Sequence, residues 1–215
     1  MKKYIFTSSE KEAVKAAVRE LETQSCGEIV PFFARSSDDY EEVGWQLSAL
    51  CGLTGLVITA FLAFTWNLPG LEVIEICVIL IGFMTLGYLL PVVFPIIKRI
   101  LTSKERMQEA VDQAAREAFL LEKVYATQEQ VGILIYVSRL EHLVVVLGDE
   151  GINQKVNPED WNQVISLVVQ GLQKKKIGEG LVNGIEHCKK LLLDHGFVRK
   201  DTDHNELSDE LRIKS

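Results

Sequence analysis

The sequence contains few cysteines and no pair of them at the spacing of a metal-binding or redox motif. Its four cysteines are Cys26, Cys51, Cys77 and Cys188, and none forms a CxxC pair. Cys51 and Cys77 fall inside or at the rim of long apolar stretches, where a thiol usually behaves as a small hydrophobic group. Neither a disulfide framework nor a zinc site is expected.

Positive charge is outnumbered, since 23 Lys and Arg stand against 30 Asp and Glu for a formal net charge of −7, and no basic run is interleaved with aromatic residues. A nucleic-acid-binding surface needs such a basic patch, so nucleic acid is not an expected partner. The first residues, MKKYIFTSSEKEAV, lack the apolar segment of a signal peptide. A cleavable signal peptide is therefore not expected, and an internal segment must carry the chain into a membrane.

Charged residues are absent from residues 47–66 and 76–97, which are almost entirely apolar. Each stretch is about 20 residues long, which is enough to cross roughly 30 Å of hydrocarbon as a helix. A chain of 215 residues could hardly bury two such helices on all sides within a soluble core. The pattern predicts a transmembrane helical hairpin over residues 43–102, embedded in the lipid bilayer. A channel or transporter role is not indicated, because neither span contains a charged residue.

Basic residues flank only one end of this hairpin. The second span is followed by Lys98, Arg99, Lys104 and Arg106, whereas the link between the spans carries only Glu72 and Glu75. By the positive-inside rule the basic end lies in the cytoplasm. We expect an integral protein of a bacterial-type inner membrane with two spans, and with both termini and the soluble domain in the cytoplasm.

The flanks of the hairpin read as soluble α/β protein. Residues 7–24 form an amphipathic helix with Thr7 or Ser9 as N-cap. Pro31, inside the first predicted strand, indicates an edge strand or a bulge. Strands are predicted at residues 27–35, 132–138 and 142–148, the last two as an antiparallel hairpin. Further helices are predicted at residues 103–123, from Asn157 onwards, and at residues 177–195.

Neither flank alone has enough strands to form a stable sheet. We therefore expect one domain, made of residues 1–42 and 103–198, that the transmembrane hairpin interrupts. Residues 199–215 are charged and lack periodic apolar residues, so they are predicted to be a disordered tail.

Four acidic residues are the candidate metal ligands. Asp149 and Glu150 follow a predicted strand, and Asp38 and Asp39 follow another. Carboxylates at strand ends are held by a rigid frame, and carboxylate oxygens suit Ca²⁺ or Mg²⁺. If the two strand ends share one edge of the sheet, all four can join one site. The alternative is a β-turn and a solvated acidic loop without a ligand.

Several segments together resemble the TPM-domain family. They are an N-terminal helix followed by CGEIVPFF, then AREAF, TQEQVGILIYVSRLEHLVVVLGDEGINQKV, Trp161 and IGEGLVNGIEHCKKLL. This family includes thylakoid-lumen and photosystem-repair proteins and an acetylcholine-receptor modulator. The resemblance implies an α/β fold, a three-layer α/β/α sandwich with a small central sheet. It also implies a calcium site and, as in some plant members, acid phosphatase activity. Members commonly carry a signal peptide and a C-terminal span. This sequence departs from that layout, so export-linked roles are not carried over.

Two functions are compatible with these features. The first is a membrane-anchored binding or scaffold module that engages a membrane protein or a membrane assembly. The alternative is a metal-dependent acid phosphatase acting on phosphomonoesters through Asp149, Glu150 and the pair Asp38 and Asp39. Such an enzyme needs a nucleophile or a two-metal cluster. The four histidines are scattered along the chain and supply neither pattern.

Overall fold

The computed structural model describes residues 4–66, 72–199 and 205–214. The chain divides into two compact units. One unit is Asp39–Arg106, and the other combines Lys3–Asp38 with Met107–Ser215. For comparison, the sequence predicted a hairpin segment over residues 43–102 between the two parts of one domain.

The first unit contains the two apolar helices and a short third helix. They are α2 (Glu41–Trp66), α3 (Val73–Val93) and α4 (Ile96–Leu101). Helices α2 and α3 are long and apolar enough to cross a membrane. The second span was predicted to continue to Ile97, but α3 ends at Val93 and Phe94 leaves the helical conformation. Phe94 precedes Pro95, and a residue before proline is disfavoured in the helical region.

Helices α2 and α3 pack closely through small residues. A Cβ atom at Gly87 would lie 2.5 Å from the carbonyl oxygen of Leu47, so the backbones of the two helices nearly touch there. The rings of Trp45 and Tyr88 are 5.1 Å apart between centroids. Such close approach favours helix association in a bilayer, where dispersion contacts replace the hydrophobic effect between helices.

The second unit is built on a four-stranded mixed sheet with the strand order β3-β2-β1-β4. The strands are β1 (Glu28–Ala34), β2 (Gly132–Ser138), β3 (Leu143–Gly148) and β4 (Arg212–Lys214). Strand β1 is parallel to both of its neighbours, β2 and β4. Strands β2 and β3 are antiparallel, which confirms the predicted hairpin.

Helices cover both faces of the sheet, which confirms the predicted three-layer α/β/α sandwich. The helices of this unit are α1 (Ser8–Gln24), α5 (Lys104–Leu121), which begins within the first unit, α6 (Glu150–Asn153), α7 (Trp161–Gln173) and α8 (Ile177–Asp194). Helices α1, α7 and α8 bury apolar residues with one face of the sheet, including Leu21, Val164 and Ile185. Helix α5 packs through alanines and Val111 against the other face. Thr7 and Glu10 form the predicted capping box at the start of α1.

Strand β1 is not simply an edge strand, although Pro31 suggested one. It lies between β2 and β4, but β4 pairs only with Phe32–Ala34. The Glu28 N–H donates towards β2 and the Arg35 N–H donates to the Lys214 carbonyl of the β4 side. Because N–H groups alternate sides along a strand, the nitrogen of Pro31 faces the β4 side just before β4 begins. Proline therefore removes no ladder hydrogen bond at this position.

The C-terminal tail was predicted to be disordered, and for residues 205–214 this is wrong. Strand β4 lies in this segment, and Leu207 and Leu211 pack against the two apolar cores. The sequence pattern missed it because only two leucines anchor the segment and its other contacts are polar. The part of the predicted tail at residues 200–204 lies outside the described residues.

We expect Gly87→Val to destabilise the packing of α2 on α3, because its side chain would meet the backbone of Leu47 and Ser48. Overpacking of this kind costs about 1–3 kcal/mol. The measurement is thermal unfolding of the full chain in mild detergent, followed by circular dichroism. Gly82→Val on the same helix is the matched control, since nothing lies within 4 Å of a Cβ atom at Gly82. Equal melting temperatures of the two variants would contradict the close approach.

Candidate functional site

The four predicted acidic ligands do not meet at one edge of the sheet. Asp38 follows β1, whereas Asp149 follows β3, which runs against β2 and therefore also against β1. The Asp149 N–H donates to the Gly132 carbonyl at 2.9 Å, which places it level with the start of β2. Asp38 follows the opposite ends of these seven-residue strands, about 20 Å away. Asp38 and Asp149 therefore lie at opposite ends of the sheet.

Each of these carboxylates has a separate local environment. Asp149 caps the short helix α6, with its Oδ1 accepting from the Glu150 N–H at 2.8 Å. Its Oδ2 is buried without a hydrogen-bond partner. Glu150 is exposed, and the Asp39 carbonyl accepts from Lys98 Nζ at 2.6 Å. Within residues 4–66, 72–199 and 205–214, no three His, Cys, Asp or Glu side chains are arranged to hold a metal ion. The residues present thus do not fit the predicted calcium or magnesium site.

A buried serine–glutamate network occupies the carboxyl end of β1 and β2. Glu141 is only 3% exposed, and its Oε1 accepts from the Ser37 N–H at 2.9 Å and from Ser36 Oγ at 3.4 Å. Its Oε2 accepts from Ser138 Oγ. Ser37 Oγ donates to Ser138 Oγ at 2.9 Å and lies 3.2 Å from the Tyr136 hydroxyl. The network ties the segment after β1 to the turn between β2 and β3.

This network resembles a nucleophile with its base, but its burial argues against catalysis. Ser138 is fully buried, so a substrate has no access to its hydroxyl. Burial also raises the pKa of Tyr136, which keeps its hydroxyl neutral. The serine–glutamate network therefore acts as a structural clamp.

A second polar group, which we name the carboxyl cluster, consists of Glu22, Glu28 and Asp209. These side chains come from the end of α1, the start of β1 and the C-terminal segment, and all three residues are buried. Asn205 Nδ2 joins two of them, since it donates to Glu22 Oε2 at 3.1 Å and to Asp209 Oδ1 at 2.7 Å. Three carboxyl groups from distant parts of the chain thus lie close together in one buried region.

Hydrogen bonds stabilise the ionised form of some members of the carboxyl cluster more than that of others. Burial alone would raise the pKa of Asp209, but hydrogen bonds from Arg19 and Asn205 outweigh it and lower that pKa. Arg19 Nε donates to Asp209 Oδ2 at 2.6 Å. Burial raises the pKa of Glu28, although the N–H groups of Glu206 and Leu207 donate to its two oxygens. Asp209 is therefore the member whose ionised form is best stabilised.

Glu22 is the member for which ionisation is most costly. Its residue is 4% exposed, and its Oε1 is buried without a hydrogen-bond partner. Burial, and then the negative charges of Glu28 and Asp209, raise the pKa of Glu22 to about 8. A buried carboxyl group with this environment holds its proton at neutral pH. Such strongly shifted groups often mark functional positions in a structure.

The sequence interpretation did not identify the carboxyl cluster. One signal was available for Glu22, which lies four residues after Val18 and therefore on the buried side of α1. Glu28 begins a strand that is buried along its whole length. Nothing in the local pattern indicated Asp209, because its segment was predicted to be disordered. Only the tertiary structure brings the three residues together.

We expect Glu141→Ala to lower the free energy of unfolding by about 1–3 kcal/mol, because buried hydroxyl and N–H donors would lose their acceptor. The measurement is chemical unfolding of the full chain in mild detergent. Glu150→Ala serves as the control because Glu150 is exposed, and it should change stability by less than about 0.5 kcal/mol. If Glu141→Ala is equally mild, the serine–glutamate network does not clamp the sheet.

Comparison with known proteins supports the fold and part of the predicted resemblance. A search of curated proteins found no match. The fold is similar to the NMR structure of the BA42 protein from the psychrophilic bacterium Bizionia argentinensis. The TM-score is 0.60 at 19% sequence identity, over 100% of this chain and 99% of that chain. At this identity the likeness shows the fold alone.

A family model described as the TPM domain matches residues 96–191. The matched region includes α5, β2, β3, α6, α7 and most of α8. Strand β1 and its CGEIVPFF motif precede the matched residues. The second half of this chain is therefore similar to the TPM domain family.

Proposed function

We propose that this protein is a membrane-anchored TPM-like domain that binds a membrane protein or a membrane assembly. The observation that carries the proposal is the apolar face of the sheet on the α5 side, which α5 does not fully cover. The anchor, its orientation and the binding face rest on separate observations. Neither the anchor nor the binding face requires a catalytic step.

The lipid bilayer is the environment that best suits α2 and α3. Their apolar side chains point largely outwards, as Phe64 at 87% and Val78 at 65% exposure illustrate. Contiguous apolar surface of this extent is unfavourable in water. The threonine hydroxyls in these helices donate to backbone carbonyls of their own helix, for example Thr59 to Gly55 at 2.8 Å and Thr85 to Ile81 at 2.7 Å. Their hydrogen-bonding needs are therefore met without water.

The proposed orientation places the TPM-like domain in the cytoplasm. Lys98 and Arg99 lie in α4, directly after the second apolar helix, and Lys104 and Arg106 begin α5. The link between the apolar helices contributes only Glu72 and Glu75. A difference of this kind orients short membrane hairpins with the basic end inside.

The proposed binding face lies on the α5 side of β3. Leu143, Val145 and Leu147 point to this side, where they are only partly buried against the core under α5. Strand β3 is also a terminal strand in the described sheet, so its outer backbone edge is unpaired. Incompletely covered apolar residues on an edge strand are typical of surfaces that bind another protein.

The phosphatase alternative and the calcium site have less support. Asp38 and Asp149 lie at opposite ends of the sheet, and the buried Ser138 is out of reach of a substrate. A phosphatase needs a reachable nucleophile or clustered metal ligands. A binding module needs neither, so the geometry favours binding over hydrolysis.

We expect Val145→Lys to abolish the binding of a membrane-protein partner, because a charge would replace part of the apolar face. The measurement is affinity purification of the full chain from membranes in mild detergent. Val198→Lys is the matched control, since Val198 is 56% exposed and lies outside this face. The melting temperatures of both variants show whether each one folds.

A partner that Val145→Lys loses and Val198→Lys keeps would support the proposed face. Equal recovery with both variants would contradict it. Hydrolysis of a generic phosphomonoester by the purified chain, abolished by Asp149→Asn, would instead favour the phosphatase.

We expect a cysteine at position 70, introduced as Gly70→Cys in a chain without its native cysteines, to react with an impermeant thiol reagent added outside intact cells. The reason is that the link between the spans lies opposite the basic end. A cysteine placed at Ser103 is the control and should react only after the membrane is permeabilised. The reverse pattern would overturn the orientation.

A further inference from the structure

The C-terminal segment crosses one end and one edge of the sheet. We name residues 205–214 the strap. Its strand β4 pairs with Phe32–Ala34 at the outer edge of β1. Leu207 packs against the apolar core under α5, and Leu211 packs against the core on the opposite face. The strap therefore closes the edge of β1 and touches both layers of the sandwich.

Polar contacts fasten the strap at both ends. At its beginning, the N–H groups of Glu206 and Leu207 each donate to the Glu28 carboxylate at 3.3 Å. Further along, Arg212 Nε lies 2.9 Å from Glu122 Oε2, in an ion pair with the residue that follows α5. The strap buries little apolar surface, so its attachment depends on these polar contacts.

The carboxyl cluster lies under the beginning of the strap, and Asn205 and Asp209 of the strap are part of its hydrogen-bond network. Charged groups face Glu22 from every element around it. They are Arg19 on α1, Glu28 on β1, Arg199 after α8 and Asp209 on the strap, and Glu206 of the strap adds a negative charge beside Glu28. The carboxylates outnumber the guanidinium groups in this buried space. An ionised Glu22 would add a further negative charge there, with one oxygen lacking a donor.

We propose that the strap is a releasable cover of the β1 edge, held in place by a proton on Glu22, and that loss of this proton detaches it. Detachment brings Glu22 into water, where its negative charge is solvated. It also uncovers the backbone groups of Phe32–Ala34. Unpaired strand edges are the surfaces to which extended segments of other chains add.

The direction of the pH dependence follows from the raised pKa. Glu22 has a pKa of about 8 with the strap in place, compared with 4.5 for an ordinary glutamate. The closed state therefore binds a proton that the open state releases. The contribution of the Glu22 proton to strap closure is complete below about pH 4.5. Above this pH the equilibrium constant for closure falls by up to about tenfold per pH unit, and the contribution is lost near pH 8.

Amide hydrogen exchange of the full chain in mild detergent tests the proposal, with rates corrected for intrinsic pH dependence. The reporter is the Arg35 N–H, which donates to the Lys214 carbonyl of the strap at 3.3 Å. The internal reference is the Asp149 N–H, which joins β3 to β2 without the strap. We expect the protection of the Arg35 amide to fall by about 30-fold or more between pH 5.5 and pH 8, while the reference changes little.

Glu22→Gln replaces the carboxyl group with a neutral group of the same shape, so this fall in protection should disappear. Glu186→Gln, at an exposed position on α8, is the matched control and should retain it. Asp209→Asn weakens the Arg19 contact and should lower the protection of the Arg35 amide at both pH values. This last variant tests strap release even if Glu22→Gln does not fold.

Two results would overturn the proposal if Glu22→Gln folds, and a third applies if it does not. One is an unchanged pH dependence in Glu22→Gln. The other is a parallel loss of protection at Arg35 and Asp149, because that pattern indicates unfolding of the whole domain. If Glu22→Gln does not fold, undiminished protection of the Arg35 amide in Asp209→Asn overturns it as well.

Discussion

The parallel pairing of β1 is the constraint on which the α/β unit depends. Strand β1 is buried along its whole length, and both strands that flank it come from the chain after the apolar hairpin. Parallel strands need a long connection, and here the connection from β1 to β2 contains α2, α3, α4 and α5. Residues before the hairpin therefore cannot form this core without residues that follow it. The hairpin is an insertion into one fold, and it does not separate two independent domains.

The sequence predicted those elements whose pattern is local. The capping box at Thr7 and Glu10, the apolar face of α1 and the β2–β3 hairpin all follow from residues close together in the chain. Position in the sheet is not local, so Pro31 was misleading. Its missing N–H would fit an edge strand, and the structure reaches the same result with a β4 that begins one residue later. The end of α3 at Val93 likewise depended on Phe94 preceding a proline.

The candidate sites depend even more strongly on contacts between residues that are far apart in the sequence. Asp38 and Asp149 were candidates for one metal site because each follows a strand, but the direction of β3 places them at opposite ends of the sheet. Glu22 and Asp209 are far apart in the sequence and meet only through the tertiary fold. A pattern search finds clustered carboxylates along the chain. It does not find carboxylates that become neighbours only in the folded chain, where burial raises the pKa of Glu22.

The composition of the C-terminal segment is itself consistent with a reversible contact. A strand held by a large apolar area would not respond to one proton, since a buried leucine alone contributes about 1.5–3 kcal/mol. The strap has only Leu207 and Leu211 as apolar anchors, both partly buried. The raised pKa of Glu22 is significant beside so small an apolar contribution, because a change of one unit in pKa corresponds to about 1.4 kcal/mol. The same shortage of apolar residues that made this segment look disordered therefore makes its attachment sensitive to the charge of Glu22.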